Sequence, residues 1–263
     1  VSSAIVAVNA TLARTAAVLC LLVLVAAPVS AEPASRLLKV GVKGNMEATL
    51  YVPDGPGPFP SVVVIHTSQG ITEVDRQYCA RLAREGFICV VPAFLRAYGI
   101  KQDLKMEAFT ADREAILADF RQIIGVLDRL PMARPGAVGA VGFSNGGFFS
   151  VLLAAQRQVK AGVAYYGALV GVAQPLQANP FLQSYTSASA PVLLLAGEND
   201  TTMGTGPVRR LEQIIKSAHA PYELIFYPDA EHGFDRNNLR PGNAAAGADA
   251  WTRTLAFLRA YLR

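Results

Sequence analysis

The chain has 263 residues, 52% of them hydrophobic and 17% charged, with a mean hydropathy of +0.29 and a formal net charge of +4. That composition is too apolar for a disordered chain and long enough for one sizeable core. The 24 basic and 20 acidic residues are interspersed, with Arg209-Arg210 the longest basic run, so the charge describes a solvated surface rather than a nucleic-acid footprint.

Taken in order, residues 1–31 carry a single charge, Arg14, followed by the apolar run Ala16–Ala27 and the small-residue site Val29-Ser30-Ala31. This is the pattern of a secretory signal peptide cleaved after Ala31, and the run is too short for an ordinary membrane span. Leu19, rather than a small residue, precedes Cys20, which argues against a lipidated cysteine. The expectation is a periplasmic or extracellular protein without a stable membrane anchor, in which residues 32–263 form one domain. Of the three cysteines only Cys79 and Cys89 would survive processing. A disulfide is sterically conceivable in an exported chain; two buried free thiols are the blander reading and the favoured one.

Leu37–Val42 and Met46–Val52 read as a hairpin across Lys43-Gly44-Asn45. Val62-Val63-Val64-Ile65 is a β-branched run without polar alternation, which suits a strand covered on both faces. Thr72–Glu85 opens with a Thr-x-x-Asp capping pattern, sets Val74, Tyr78 and Leu82 on one face, and closes at Gly86. After the strand Phe87–Val91, the longest helix is expected over Asp112–Leu130, with Ile116, Phe120, Ile123, Ile124 and Leu127 at core spacing. Strands at Val159–Tyr166, Pro191–Ala196 and Tyr222–Tyr227 and helices at Pro207–Ser217 and Ala244–Leu262 complete the alternation. Strands separated by helices imply an α/β fold, a mostly parallel sheet with helices on both faces. Gly171–Ala190 lacks a clear period and is expected as a surface loop or a short cap over the site.

The most informative stretch is Ala137–Phe148, a strand that meets a Gly-x-Ser-x-Gly turn and leaves it as a helix. Gly142 and Gly146 give Ser144 room on a sharp strand-to-helix corner, and the following helix aims its N–H groups where an attacked carbonyl would gain negative charge. In a parallel sheet function gathers at the C-terminal strand ends. There the chain offers Asp200 after one late strand and His232 after the next. A serine hydroxyl needs an imidazole to take its proton, and the imidazole needs a carboxylate to hold its tautomer, so Ser144, Asp200 and His232 are the expected catalytic residues. The competing roles are a helix N-cap for Asp200 and a chance loop position for His232. The chain has three histidines. His219 falls between a helix and its next strand and is expected at the surface, and His66 is expected to hydrogen-bond structurally beside the loop after the valine strand.

These residues resemble the dienelactone hydrolase family of α/β-hydrolases over most of residues 36–260. The resemblance rests on Val62–Gly70, Gly142-Phe143-Ser144-Asn145-Gly146, Ala164-Tyr165-Tyr166-Gly167, Leu195–Asp200 and Tyr227–Phe234. It implies the Ser144, Asp200, His232 triad and an oxyanion hole from the backbone N–H groups of Asn145 and Ser68, with Thr67 the alternative to Ser68. Family enzymes acting on dienelactone carry a cysteine where this chain has Ser144, and a glutamate where it has Thr67. The resemblance therefore implies ordinary carboxylic esters as small-molecule substrates, cleaved without metal or cofactor; a peptidase or amidase on the same fold, or a secreted binding protein with a vestigial site, are the rivals. Arg236 falls where the family can place an arginine on a substrate carboxylate, against the alternative of a surface arginine paired with Asp235. Phe143, Tyr166 and Phe234 are expected to line the acyl or alcohol pocket, or to pack the corner. The oligomeric state stays open.

Overall fold

The computed structural model describes residues 33–41, 46–101, 108, 111–167, 180–236 and 240–263. The expected signal peptide, the Lys43-Gly44-Asn45 turn and the first part of the Gly171–Ala190 stretch lie outside the described residues.

Eight strands form one sheet: β1 (Ala34–Val40), β2 (Met46–Val52), β3 (Phe59–Ile65), β4 (Ile88–Pro92), β5 (Ala133–Phe143), β6 (Ala161–Tyr165), β7 (Val192–Gly197) and β8 (Tyr222–Tyr227). Their spatial order is β1-β2-β4-β3-β5-β6-β7-β8, with β1, β2 and β4 paired antiparallel and every pair from β4 to β8 parallel. The helices are α1 (Glu73–Arg84), α2 (Phe94–Ala97), α3 (Arg113–Asp128), α4 (Asn145–Ala155), α5 (Pro180–Ser184), α6 (Gly206–Ser217) and α7 (Pro241–Tyr261). The expected α/β architecture is present, and each expected strand and helix has a counterpart within a few residues.

The alternation of side chains along a strand divides the core in two. Val63 and Ile65 of β3 face α3 and α4 with Phe120, Phe148 and Phe149, whereas Val62 and Val64 face α1 and α7 with Tyr78, Leu82 and Leu258. A strand buried on both faces has no use for polar alternation, which is why β3 reads as an unbroken apolar run. On α3 the expected stripe of Ile116, Phe120, Ile123, Ile124 and Leu127 is buried throughout. On α1, Tyr78 and Leu82 are buried but Val74 is 37% exposed, and its neighbour Asp75 takes the buried place in the first turn.

The cysteines differ from the favoured expectation. Cys79 of α1 and Cys89 of β4 are joined in a disulfide rather than left as free thiols, their Cα atoms 5.3 Å apart. The helix packs beside its next strand, the arrangement that makes a bridge sterically conceivable, and it brings the two Cβ atoms close enough to join.

Candidate active site

Ser144 sits between the end of β5 and the start of α4 with φ 50° and ψ −116°, a left-handed conformation rare for a residue with a Cβ. The two flanking glycines make this corner possible. A Cβ on Gly142 would lie 2.1 Å from the Gly146 carbonyl oxygen, and one on Gly146 would lie 2.1 Å from the Ile65 carbonyl oxygen. The second approach presses the first turn of α4 against the end of β3, beside the loop that contains Thr67 and Ser68. The Ser144 N–H donates to the Tyr165 carbonyl at 3.0 Å, and its own carbonyl accepts from the Gly147 N–H at 2.9 Å. All eleven residues of α4 are buried, so the helix behind the serine has little freedom to shift.

Asp200 and His232 reach the same point from the tips of β7 and β8. The Asn199 N–H donates to the Ala230 carbonyl at 3.0 Å, and the Glu198 N–H to the Tyr227 carbonyl at 2.9 Å. A Cβ on Gly197 would meet the Ala230 oxygen at 2.3 Å, so a glycine is required where the two loops cross. The Asp200 carboxylate accepts through Oδ1 from the N–H groups of Thr202 and Met203, at 2.9 and 2.8 Å, and its Oδ2 lies 2.8 Å from His232 Nδ1. Burial opposes its charge, but His232 and the two backbone N–H groups outweigh that and hold its carboxyl below the ordinary aspartate range. Asp200 is not a helix cap; the N-cap of α6 is Thr205.

His232 Nε2 stands 3.0 Å from Ser144 Oγ. With a carboxylate against Nδ1, the neutral ring carries its proton there and leaves Nε2 to accept from the serine hydroxyl. Residues separated by 88 and 32 positions thus form one continuous hydrogen-bonded line. The other histidines stay apart from it. His219 is exposed. His66 is fully buried, donates from Nδ1 to the Thr67 carbonyl at 2.7 Å and stacks on Phe94; burial lowers its pKa to about 4, so the ring is neutral and braces the start of the β3–α1 loop. In that loop the Gly70 N–H donates to the Thr67 carbonyl and the Gln69 N–H to the Thr67 hydroxyl.

The expected pocket residues are placed differently. Phe143 and Phe234 have no exposure and pack beneath the corner instead of lining an opening. Tyr166 is 3% exposed, its ring centroid 4.8 Å from that of His232 in an edge-on arrangement. Arg236 is neither a surface residue nor a free cation awaiting a substrate carboxylate. Its Nη2 donates to Asp75 at 2.8 Å and its Nε to the Tyr166 hydroxyl at 3.0 Å, and the guanidinium lies over the Phe143 ring. Asp75 was legible only as the capping residue of α1, accepting from the Thr72 N–H and hydroxyl at 2.8 and 2.7 Å. Its second partner lies 161 positions away, and no local pattern announces such a pair.

A parallel sheet flanked by helices, with a serine on a strained elbow and an imidazole and carboxylate at the neighbouring strand tips, defines an α/β-hydrolase. The chain belongs to the dienelactone hydrolase family, whose model matches residues 46–262. Relatives described as "Putative carboxymethylenebutenolidase" occur in Synechocystis, 29% identical with 83% of this chain and 94% of the relative covered, and in Escherichia coli K12, 31% identical with 78% of each covered. The crystallised "Putative Dienelactone Hydrolase" of Klebsiella pneumoniae superposes with a TM-score of 0.75 at 28% identity, over 87% of this chain and 99% of its own. The protein is accordingly an enzyme of the ester-hydrolase type.

Proposed function

We propose that this protein cleaves carboxylic esters through an acyl-serine intermediate, with Ser144 as nucleophile, His232 as general base and acid, and Asp200 as the group that fixes and stabilises the imidazole. The observation that carries this reading is the line Asp200–His232–Ser144, with separations of 2.8 and 3.0 Å. As Ser144 Oγ bonds to the ester carbonyl carbon, its proton passes to His232 Nε2. The N–H groups of Asn145 and Ser68 stabilise the oxyanion, each such donor being worth about 3 kcal/mol of transition-state stabilisation. Collapse of the tetrahedral species expels the alkoxide, which takes the proton from the imidazolium. Water then enters and gives a proton to His232 as its oxygen bonds to the acyl carbon. The second tetrahedral species collapses with cleavage of the bond to Ser144 Oγ, which takes the imidazolium proton as the acid leaves. A serine cannot be activated by ionising at neutral pH as a low-pKa cysteine is, so the imidazole–carboxylate pair supplies the activation throughout.

The same reading places the enzyme outside the cytoplasm after removal of residues 1–31. The Cys79–Cys89 bridge fits an oxidising compartment. A fluorophosphonate probe should label the wild-type protein at Ser144 and leave S144A unlabelled; a folded wild-type protein that resists labelling would refute the catalytic reading. Short-chain aryl esters should be turned over well and aminoacyl anilides poorly, with the reverse order marking a peptidase. Amino-terminal sequencing of the exported protein should begin at Glu32.

A further inference from the structure

Arg236 holds a position that the chemistry of acyl transfer does not itself require. Its side chain is 15% exposed, and it lies between two buried carboxylates, Asp75 at 2.8 Å and Asp235 at 3.6 Å. The Tyr166 hydroxyl closes the cluster, accepting from Arg236 Nε and donating to Asp235. Burial opposes ionisation of both acids. At Asp75, Arg236 and the bonds from Thr72 prevail and lower the carboxyl, whereas at Asp235 burial prevails and raises it, so the guanidinium belongs chiefly to Asp75. Buried charges are costly to desolvate, and an apolar cluster would fill the same space more cheaply.

The cluster joins three separate pieces of chain: the first turn of α1, Tyr166 beyond β6, and residues 235–236 just past His232. On its upstream side the histidine loop is held by bonds from Asn199 to the Ala230 carbonyl and from the Glu231 N–H to Asn243, and by an exposed ion pair between Glu231 and Arg240. Immediately after His232, Gly233 turns the chain with φ 76°. On the downstream side Phe234 is buried against Tyr166 and Tyr227 and Arg236 is the charged anchor; Tyr166, which it holds through its hydroxyl, packs edge-on with the imidazole.

We infer that Asp75 and Arg236 are positioning residues: their ion pair ties the loop of His232 to α1 and, through Tyr166, keeps the imidazole in reach of Ser144. This inference rests on His232 being the general base. Displacement of a base by about 1 Å can cost about a hundredfold in rate.

The test is the double variant D75N/R236M, which removes the paired charges of Asp75 and Arg236 together; Asp235, whose carboxyl burial already raises, keeps its bond from the Tyr166 hydroxyl. It should melt close to wild type, keep KM for a neutral aryl ester within about twofold, and lose about ten- to a hundredfold in kcat. A wild-type kcat would overturn the inference, as would a rise in KM confined to anionic esters, which would make Arg236 a substrate ligand. If the double variant does not fold, R236K serves: it retains the charge but not the fork that reaches Tyr166, and it should lose kcat severalfold at unchanged KM. Full activity in R236K would likewise overturn the inference. Arg236 also lines a cavity of about 440 Å³ between α1 and α7, with Tyr78, Arg81 and Trp251. Millimolar guanidinium should therefore restore part of the kcat lost in R236A, and no restoration in a folded R236A counts against the clamp.

A readout independent of turnover separates this inference from the catalytic reading. The Nδ1 proton of His232, one of three histidines in the chain, should give a downfield NMR signal in the wild type that weakens or shifts in the double variant. An unchanged signal defeats the clamp even if the wild type hydrolyses nothing, whereas an inactive wild type with a shifted signal defeats only the ester-hydrolase mechanism.

Discussion

The corner that carries Ser144 and the loop that carries His232 meet across one 3.0 Å hydrogen bond, yet they are held by different forces. The corner is a matter of backbone packing: glycines at 142 and 146 let main chain touch main chain, and a fully buried helix backs the turn. The histidine loop also packs, through Ala230 against Gly197 and through the buried Phe234. It adds polar groups that the corner lacks: a carboxylate on Nδ1, an amide on the Glu231 N–H and a buried ion pair at Arg236. Packing contacts are insensitive to pH, whereas titratable groups respond to it. The nucleophile should thus be rigid under most conditions, and the base should be the part of the site that solution conditions can disturb.

That contrast can be broken or sharpened by experiment. The largest effect belongs to S144A, which should lower turnover by about 10⁴-fold or more without changing the melting temperature, since it removes one hydroxyl and leaves the backbone alone. G146A attacks the other property of the corner. Its methyl would overlap the Ile65 carbonyl, and the protein should lose about 4 kcal/mol of stability or fail to accumulate in folded form. A soluble, fully stable G146A would show that the corner yields more readily than its packing implies.

The pH dependence separates the two regions further. His66 titrates at 6.5 when unfolded and at about 4 when buried, so between those values the unfolded chain binds the extra proton and stability falls as the pH is lowered. The loss, on the order of 3 kcal/mol, should shrink in H66N when unfolding is measured from pH 7 to pH 4. Asp200 acts in the same direction at lower pH. Its folded pKa is depressed, so its contribution is present above the unfolded pKa and disappears as the pH falls through the folded one. Acid should therefore weaken the His66 brace first and the Asp200 contact at lower pH, as fluorescence and activity followed together would show. A smaller effect is expected at α1, which carries Asp75: the paired change C79S/C89S opens a ten-residue loop and should cost about 2–3 kcal/mol, matched by reducing the wild type with dithiothreitol.

Much of this could be read along the chain, for reasons that particular elements make plain. The run Val62-Val63-Val64-Ile65 can be little other than a strand covered twice, and Gly142-Phe143-Ser144-Asn145-Gly146 states its own backbone requirement. Asp200 and His232 were found because each follows a strand in a fold whose chemistry gathers at strand ends. Where the signal was not local, the reading went astray. For Cys79 and Cys89 the chain leaves a bridge and two free thiols open and favours the thiols, whereas the packed helix and strand join them. Phe143 and Phe234 read equally as pocket walls or as packing for the corner, and burial decides for the second. Arg236 was weighed as a substrate ligand or a surface residue and is a buried partner of Asp75.

By itself the sequence determined the alternation of strand and helix, the glycine-lined elbow and the identities of the three groups that meet there. Each of these follows from short-range sterics, hydrophobic period or the chemistry a side chain can perform. Only the tertiary structure decided which carboxylate holds Arg236, which sulfurs are joined and which aromatic rings stay dry. Those outcomes depend on distances between segments 10 to 161 positions apart, and such distances are set by the packing of the whole core rather than by any stretch of it.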